Sequence, residues 1–155
     1  GWVGPGTGLD QAGVTHKATI VQAAIDRHGD DFDNPVCLLA ALGGRELAAI
    51  AGAVFEARLR RIPVMLDGFI SSAAAATLTA GNRLDVLDHC MISHLSPEPG
   101  HMRLASALRK QPFLDLRMRL GEASGAAVAT LLVRAALATH NGMATFDEAV
   151  VSKKA

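Results

Sequence analysis

Tyrosine is absent from this 155-residue chain, and five phenylalanines and one tryptophan are its only aromatic residues. So few aromatics argue against a β-sandwich, whose strands favour aromatic and β-branched side chains. Cysteine is scarce as well. Cys37 and Cys90 are too few for a disulfide framework or a Cys-rich zinc site. Net charge is missing, because 15 Lys and Arg balance 15 Asp and Glu. A module that holds nucleic acid by bulk electrostatics is therefore not expected. Long apolar runs are missing too. The longest weakly polar stretch, from Val64 to Ala76, is interrupted by Asp67, Gly68, Ser71 and Ser72, too short and too polar to cross a bilayer. The opening Gly1-Trp2-Val3-Gly4-Pro5-Gly6 lacks the charged start and apolar run of a signal peptide, so a cytoplasmic protein with reduced thiols and no membrane partner is expected. It also lacks an initiator methionine and begins inside a glycine-rich turn, which suggests a piece of a longer chain.

What the chain does have is apolar mass. Half its residues are hydrophobic and 28 are alanine. That excludes intrinsic disorder, suffices for one core, and suits closely packed helices around a small sheet.

The glycine-rich stretch Gly4–Gly8 reads as a loop, after which Asp10 can cap a helix to about His28 with Val14, Ala18, Val21 and Ile25 on one face. His28-Gly29-Asp30-Asp31 ends it. Asn34 and Pro35 begin a short helix through Leu42, broken by Gly43-Gly44. Glu46 to Arg60 is amphipathic, with Leu47, Ile50, Val54 and Leu59 apolar. The period then changes: Ile62 to Leu66 is a continuous apolar run, as in a buried parallel strand. A small-residue helix follows from Phe69 to Ala80, stopped by Gly81-Asn82. His89 to Ser93 is a second strand, His101 to Arg109 a helix, and Pro112 to Leu116 a third extended segment. Ala126 to Thr139 is almost wholly apolar and reads as a buried helix. Met143 to Val151 reads as a last short helix, and Ser152 to Ala155 as a frayed tail. This alternation predicts an α/β fold: a helix-rich, Rossmann-like layered structure with a parallel sheet, here as part of a domain. Ligands in such sheets bind beyond the carboxyl ends of the strands, where Asp67-Gly68 and Ser93-His94 fall.

Several polar residues in these loops invite chemistry. The Gly4–Gly8 turn precedes a helix, so its N–H groups could cradle a phosphate, but it matches neither a Walker A loop nor a dinucleotide fingerprint, and taken alone it reads better as a plain turn. Lys17, about two turns on, reads either as a partner for that anion or as a solvated surface lysine. Asp67 either caps a helix or binds a ligand hydroxyl. Glu46, in a first helical turn, suits the helix dipole. His94 and Glu98 share a loop with Ser96, but neither HExxH nor a similar pair accompanies them, so no metal site is expected. Ser71, Ser72 and Ser124 lack a G-x-S-x-G context. Glu122 sits between glycines and small residues before an apolar helix. Loss of hydration there would raise its pKa and make it a general base; the alternative is a helix N-terminal carboxylate stabilised by the dipole.

Several stretches, taken together and in order, resemble one family. They are Val3–Asp10, Lys17, Gly43-Gly44 with Glu46, Ala51-Gly52, Pro63–Ser71 (PVMLDGFIS), Ser93–Gly100 (SHLSPEPG), Arg119–Ala127 (RLGEASGAA) and Met143–Ala149. The family is that of the nicotinate-nucleotide–dimethylbenzimidazole phosphoribosyltransferases of cobalamin lower-ligand synthesis. The resemblance runs the whole length of the chain but covers only the C-terminal portion of the family's sequence. Two positions depart from its pattern: Arg45, usually apolar, and Ala123, commonly glycine. The resemblance implies transfer of the phosphoribosyl group of nicotinate mononucleotide to 5,6-dimethylbenzimidazole, with inversion, giving α-ribazole 5′-phosphate and nicotinate. It implies Glu122 as the general base. It implies a phosphate held by Lys17 and the turn around Gly6, Asp67 orienting the ribose or the glutamate, and the Ser96–Gly100 loop closing over the sugar. Glu46, Gly68, Gly121 and Ser124 complete the implied substrate-binding set. No cofactor or metal is implied, since the cationic nicotinate is already an activated leaving group. A homodimer is implied. Two rivals stand beside this expectation: a nucleotide-binding fragment without chemistry, and a helix-rich subunit that pairs with another polypeptide.

Overall fold

A computed structural model describes residues 1–6, 8–29 and 33–151. Thr7 of the glycine-rich turn, Asp30 and Asp31 of the first helix stop, and the expected frayed tail Ser152–Ala155 lie outside the described residues. The chain forms a helix-rich α/β layer around a small parallel sheet. Among the described residues no helix is long and apolar enough to cross a membrane.

Helix α1 (Gln11–His28) is capped by Asp10, whose carboxylate accepts the Gly13 N–H at 2.8 Å. Asn34 caps α2 (Pro35–Leu38) by accepting the Val36 and Cys37 N–H groups. A π turn over Leu39–Gly43 then leads into Gly44. Gly44 has φ +101°, a conformation that needs glycine, and α3 (Arg45–Leu59) starts at once. Strand β1 (Val64–Leu66) pairs in parallel with β2 (Cys90–Ile92), Leu66 opposite Ile92. Between them run α4 (Phe69–Ala76), a 3-10 segment kinked at Ala80 and Gly81, and a 3-10 turn over Leu84–Leu87. Helix α5 (Pro99–Ala107) begins at a proline, which suits a first helical position, and α6 (Ser124–Gly142) closes the order.

Val54, Leu66, Ala75, Leu87, Cys90, Ile92, Ala105 and Leu108 form the core, drawn from α3, α4, α5 and both strands. Alanines on α4 let that helix pack closely against α3 and α5. The expected third strand is a single parallel bridge, His94 to Leu114; it still serves the site, because Leu95 and Leu114 N–H groups donate to Leu114 and Ser93 carbonyls.

Four expectations need correction. Helix α6 forms, but it is not buried: only Gly125 and Ala129 are, while Leu131, Leu132 and Leu137 are about half exposed or more. Nothing among the described residues covers its apolar stripe. The apolar face expected of α1 is likewise uncovered, with Val21 and Ile25 exposed. Leu59, expected on the inner face of α3, sits at the end of the helix and is 64% exposed. Residues 143–151 form turns rather than a helix, although Thr145 and Glu148 bond each other reciprocally at their start as in a helix cap.

Candidate functional site

The carboxyl ends of β1 and β2 carry the polar centre of the molecule. Asp67 follows β1 directly and is largely enclosed. Its Oδ1 accepts the Ala126 N–H at 2.9 Å, across 59 residues. The physical need is plain at α6, whose N-cap position is Ala123, with φ +61° and no side-chain oxygen to offer. Asp67 supplies that oxygen instead, next to the positive end of the helix dipole. The capping reading of Asp67 thus holds for α6 rather than for the helix that follows it, and the residue also lines the cavity beyond the strand ends. Ser71 performs the local task on α4: its Oγ accepts the Gly68 N–H and donates to the Gly68 carbonyl.

Behind Asp67 lies a buried polar cluster. Ser93 Oγ donates to the Asp67 carbonyl at 2.6 Å, and His94 Nδ1 lies 3.3 Å from Ser93 Oγ and 3.8 Å from Asp67 Oδ1. The His94 ring packs so tightly on the start of α6 that a Cβ at Gly125 would overlap its Nδ1, so only glycine fits there. His101, fully buried on α5, stacks at a tilt on Phe69 and stands edge-on to His94. Its Nδ1 accepts the Ser96 N–H at 3.0 Å and its Nε2 faces Ser72 Oγ at 3.3 Å. Burial, then the neighbouring His94, push the His101 pKa down to about 4, with Asp67 opposing. His101 is therefore neutral near pH 7. Neither histidine belongs to a cluster of three or more metal-ligating side chains among the described residues.

The glycine-rich turn approaches from the other side. Gly8 and Leu9 N–H groups donate to the Pro5 carbonyl, so they are engaged within the turn and do not reach outward as a phosphate cradle. Cations stand there instead. Lys17 Nζ donates to the Gly4 carbonyl at 3.1 Å, and Arg119 Nη2 to the Gly6 carbonyl at 2.9 Å. Glu98 lies 3.8 Å from Arg119 and packs on Gly4 so closely that a Cβ there would overlap its carboxylate. The turn, α1, the Ser96–Gly100 loop and the Arg119 segment are thereby locked to one another.

Gly121, Glu122 and Ala123 all have positive φ, at +76°, +53° and +61°. This left-handed run turns the chain sharply into α6. It also explains why glycine suits position 123: in alanine the left-handed backbone brings Cβ against the following carbonyl. Glu122 is exposed, contrary to the dry environment expected of it. Small flanking residues leave room for water when no larger group covers them, and among the described residues none does.

These segments surround one cavity of about 920 Å³. Of the residues singled out in the sequence, Gly6, Lys17, Asp67, Gly68, Ser96, Gly121 and Glu122 line it together. Glu46, Gly100 and Ser124 do not. Glu46 is exposed in the first turn of α3. Gly100 is buried where a Cβ would meet Phe69 and the Trp2 carbonyl, so it is a packing glycine. Ser124 Oγ is closed off from solvent, with no hydrogen-bond partner among the described residues. Sequence reasoning missed the apolar wall, which includes Trp2, Ile50 and Met65, and missed His101 altogether. The available signal for His101 was a polar residue in the third position of a proline-initiated helix, facing back on its own entry loop.

Comparison with known proteins adds a second line. A family model described as Phosphoribosyltransferase matches residues 1–151. The nicotinate-nucleotide–dimethylbenzimidazole phosphoribosyltransferase of Novosphingobium aromaticivorans is 56% identical over 97% of this chain, which covers 44% of that protein. The protein of the same name from Methylorubrum extorquens is 54% identical over 99% of this chain and 45% of its own length. The crystal structure of CobT from Thermus thermophilus superposes with a TM-score of 0.89 at 40% identity, over 98% of this chain and 45% of that one. The chain thus spans a little under half the length of the relatives it matches.

Proposed function

Because the chain belongs to this phosphoribosyltransferase family, we propose that it carries one side of an active site for transfer of a phosphoribosyl group from nicotinate mononucleotide to 5,6-dimethylbenzimidazole. Residues 1–155 are read as the C-terminal portion of that enzyme's domain, and the two strands as part of a Rossmann-like sheet. The observation that carries the proposal is convergence: the cationic turn, the strand-end aspartate, the Ser96 loop and the Glu122 turn meet around one cavity beyond the strand ends. Its volume falls within the range of small-molecule sites and suits a nucleotide beside a planar base.

The chemistry follows from the placement. Lys17 donates to a neutral carbonyl, so its charge is left to attract the 5′-phosphate; Arg119 stands beside it, with part of its charge offset by Glu98 at 3.8 Å. The Ser96 loop, held in place behind the cavity, lies against the sugar. An unprotonated benzimidazole nitrogen attacks the anomeric carbon, and the bond to the nicotinate ring nitrogen breaks. Its electron pair returns to the ring, neutralising the pyridinium. The proton on the acceptor's other nitrogen passes to Glu122. General-base help of this kind is worth roughly 100- to 10,000-fold, and alignment of the two rings supplies more. An acceptor ring lying over the Gly121–Ala123 turn displaces water from Glu122, providing the desolvation that the chain alone lacks. A cytoplasmic homodimer is part of the same proposal, and the uncovered stripe of α6 is compatible with pairing.

A second reading has one observation in its favour. Glu122 is exposed, so this length of chain can bind the nucleotide without turning it over. Mixing nicotinate mononucleotide with dimethylbenzimidazole and measuring free nicotinate separates the two. Nicotinate that appears only when both substrates are present supports transfer. Calorimetric binding without nicotinate release supports the second reading, and neither binding nor release defeats both.

A further inference from the structure

His101 lies behind the cavity wall, is absent from the implied substrate-binding set, and has both ring nitrogens engaged. Its Nδ1 accepts the Ser96 N–H, so in the neutral ring the proton sits on Nε2, directed at Ser72 Oγ. One imidazole thus ties the entry loop of α5 to the middle of α4, the helix that starts immediately after Asp67-Gly68. Glu98 pairs the far side of the loop with Arg119, but towards α5 the loop's other hydrogen bonds among the described residues are local. Ser96 Oγ accepts the Glu98 N–H at 3.2 Å, and the Glu98 carbonyl accepts the His101 N–H at 2.9 Å. Pro97 and Pro99 have no N–H to give. The Nδ1 contact is therefore the side-chain tether by which the helix behind holds the front of the loop.

We propose that His101 is a positioning residue: its unprotonated Nδ1, by accepting the Ser96 N–H, holds the Ser96–Gly100 loop in the conformation that meets the phosphoribosyl group. This rests on the functional reading above for the identity of the ligand, but not for the tether itself. The groups that face the ring are His94 from the loop after β2, Asp67 from the loop after β1, and the uncharged Phe69 and Ser72 of α4. A proton placed on Nδ1 would set two N–H groups against each other. Burial keeps the ring neutral, with a pKa pushed down to about 4. A purely space-filling role would not need a particular acceptor atom at this position.

Two variants separate these roles. His101→Asn places an oxygen where Nδ1 stands, at the same bond distance from the backbone, and removes the arm to Ser72. His101→Leu fills space and accepts nothing. Hydrogen exchange of the Ser96 amide and steady-state kinetics on a chain of the relatives' full length are the two readouts. In His101→Leu the Ser96 amide is expected to exchange at least about tenfold faster, the loss of one buried hydrogen bond. KM for nicotinate mononucleotide is expected to rise about tenfold, with KM for the base little changed. His101→Asn is expected to restore both, even if its melting temperature falls as far as that of the leucine variant. Equal exchange in all three proteins overturns the tether, whether or not the wild type shows any activity. Changed exchange with unchanged KM overturns the positioning role. If the wild type releases no nicotinate, the functional reading fails by itself, and the Ser96 exchange alone then decides for or against the tether.

Discussion

Ala123 and His101 show how single side chains carry the site. The left-handed backbone at Ala123 costs about 1 kcal/mol against glycine, partly offset by the greater freedom glycine has when unfolded. Ala123→Gly is therefore expected to stabilise the protein by roughly 0.5 kcal/mol in urea titration; destabilisation would contradict the backbone assignment. His101 makes stability depend on pH. The unfolded imidazole takes its proton near pH 6.5, the folded one only near about 4. Between those values the unfolded chain binds more protons, so stability is complete above about pH 6.5 and drains away on acidification towards pH 4. The expected loss is about 3 kcal/mol over that window, read by denaturant melts, and His101→Leu should flatten it.

At the scale of elements, the coupling of β1 to α6 through Asp67 is the central contact. The helix lacks a local cap, and the turn that leads into it bears the residue assigned as base. Asp67→Ala is expected to cost about 1–2 kcal/mol and to speed amide exchange in the first turn of α6 while leaving α3 unaffected. A uniform change across all helices would contradict a local capping role. Most helices and both strands were legible because their cues are local: Asp10 and Asn34 are caps and Ile62–Leu66 breaks the helical period, whereas α5 starts two residues before the expected His101, at Pro99. Asp67 as the cap of a helix 59 residues on was not legible, since its partner is set by the meeting of strand ends in space. Likewise the helix expected to run to Ala80 leaves α geometry after Ala76 and finishes as a 3-10 segment, while the stop expected at Gly81-Asn82 is where the chain turns, with Gly81 at φ +69°.

At the scale of the whole molecule, burial was the least legible property. The run 126–139 is apolar enough for a core helix, yet Val128, Leu131 and Leu132 face outward, because burial depends on what covers a face and not on the face alone. The same reason separates the two outcomes for Glu122: its place at the cavity was legible from the motif, its dryness was not. Val128, Leu131, Leu132 and Ala135 recur at helical spacing on α6, so this length of chain is expected to self-associate with rising concentration in sedimentation. Replacing Leu131 and Leu132 together by Lys should return it to a monomer. Association unchanged by the pair would assign it to another face. The largest fully buried side chains are Leu87, Ile92, His101, Ser72 and Ser93, so polar groups behind the cavity are packed as tightly as the apolar core.

The role of Glu122 is the point on which the chemistry turns. Its most direct measurement is the rate of nicotinate release from a chain of the relatives' full length, with both substrates saturating, for wild type and Glu122→Gln. The expected result is a fall of roughly 100- to 10,000-fold with the affinity for nicotinate mononucleotide preserved. A glutamine variant that releases nicotinate as fast as the wild type would contradict it.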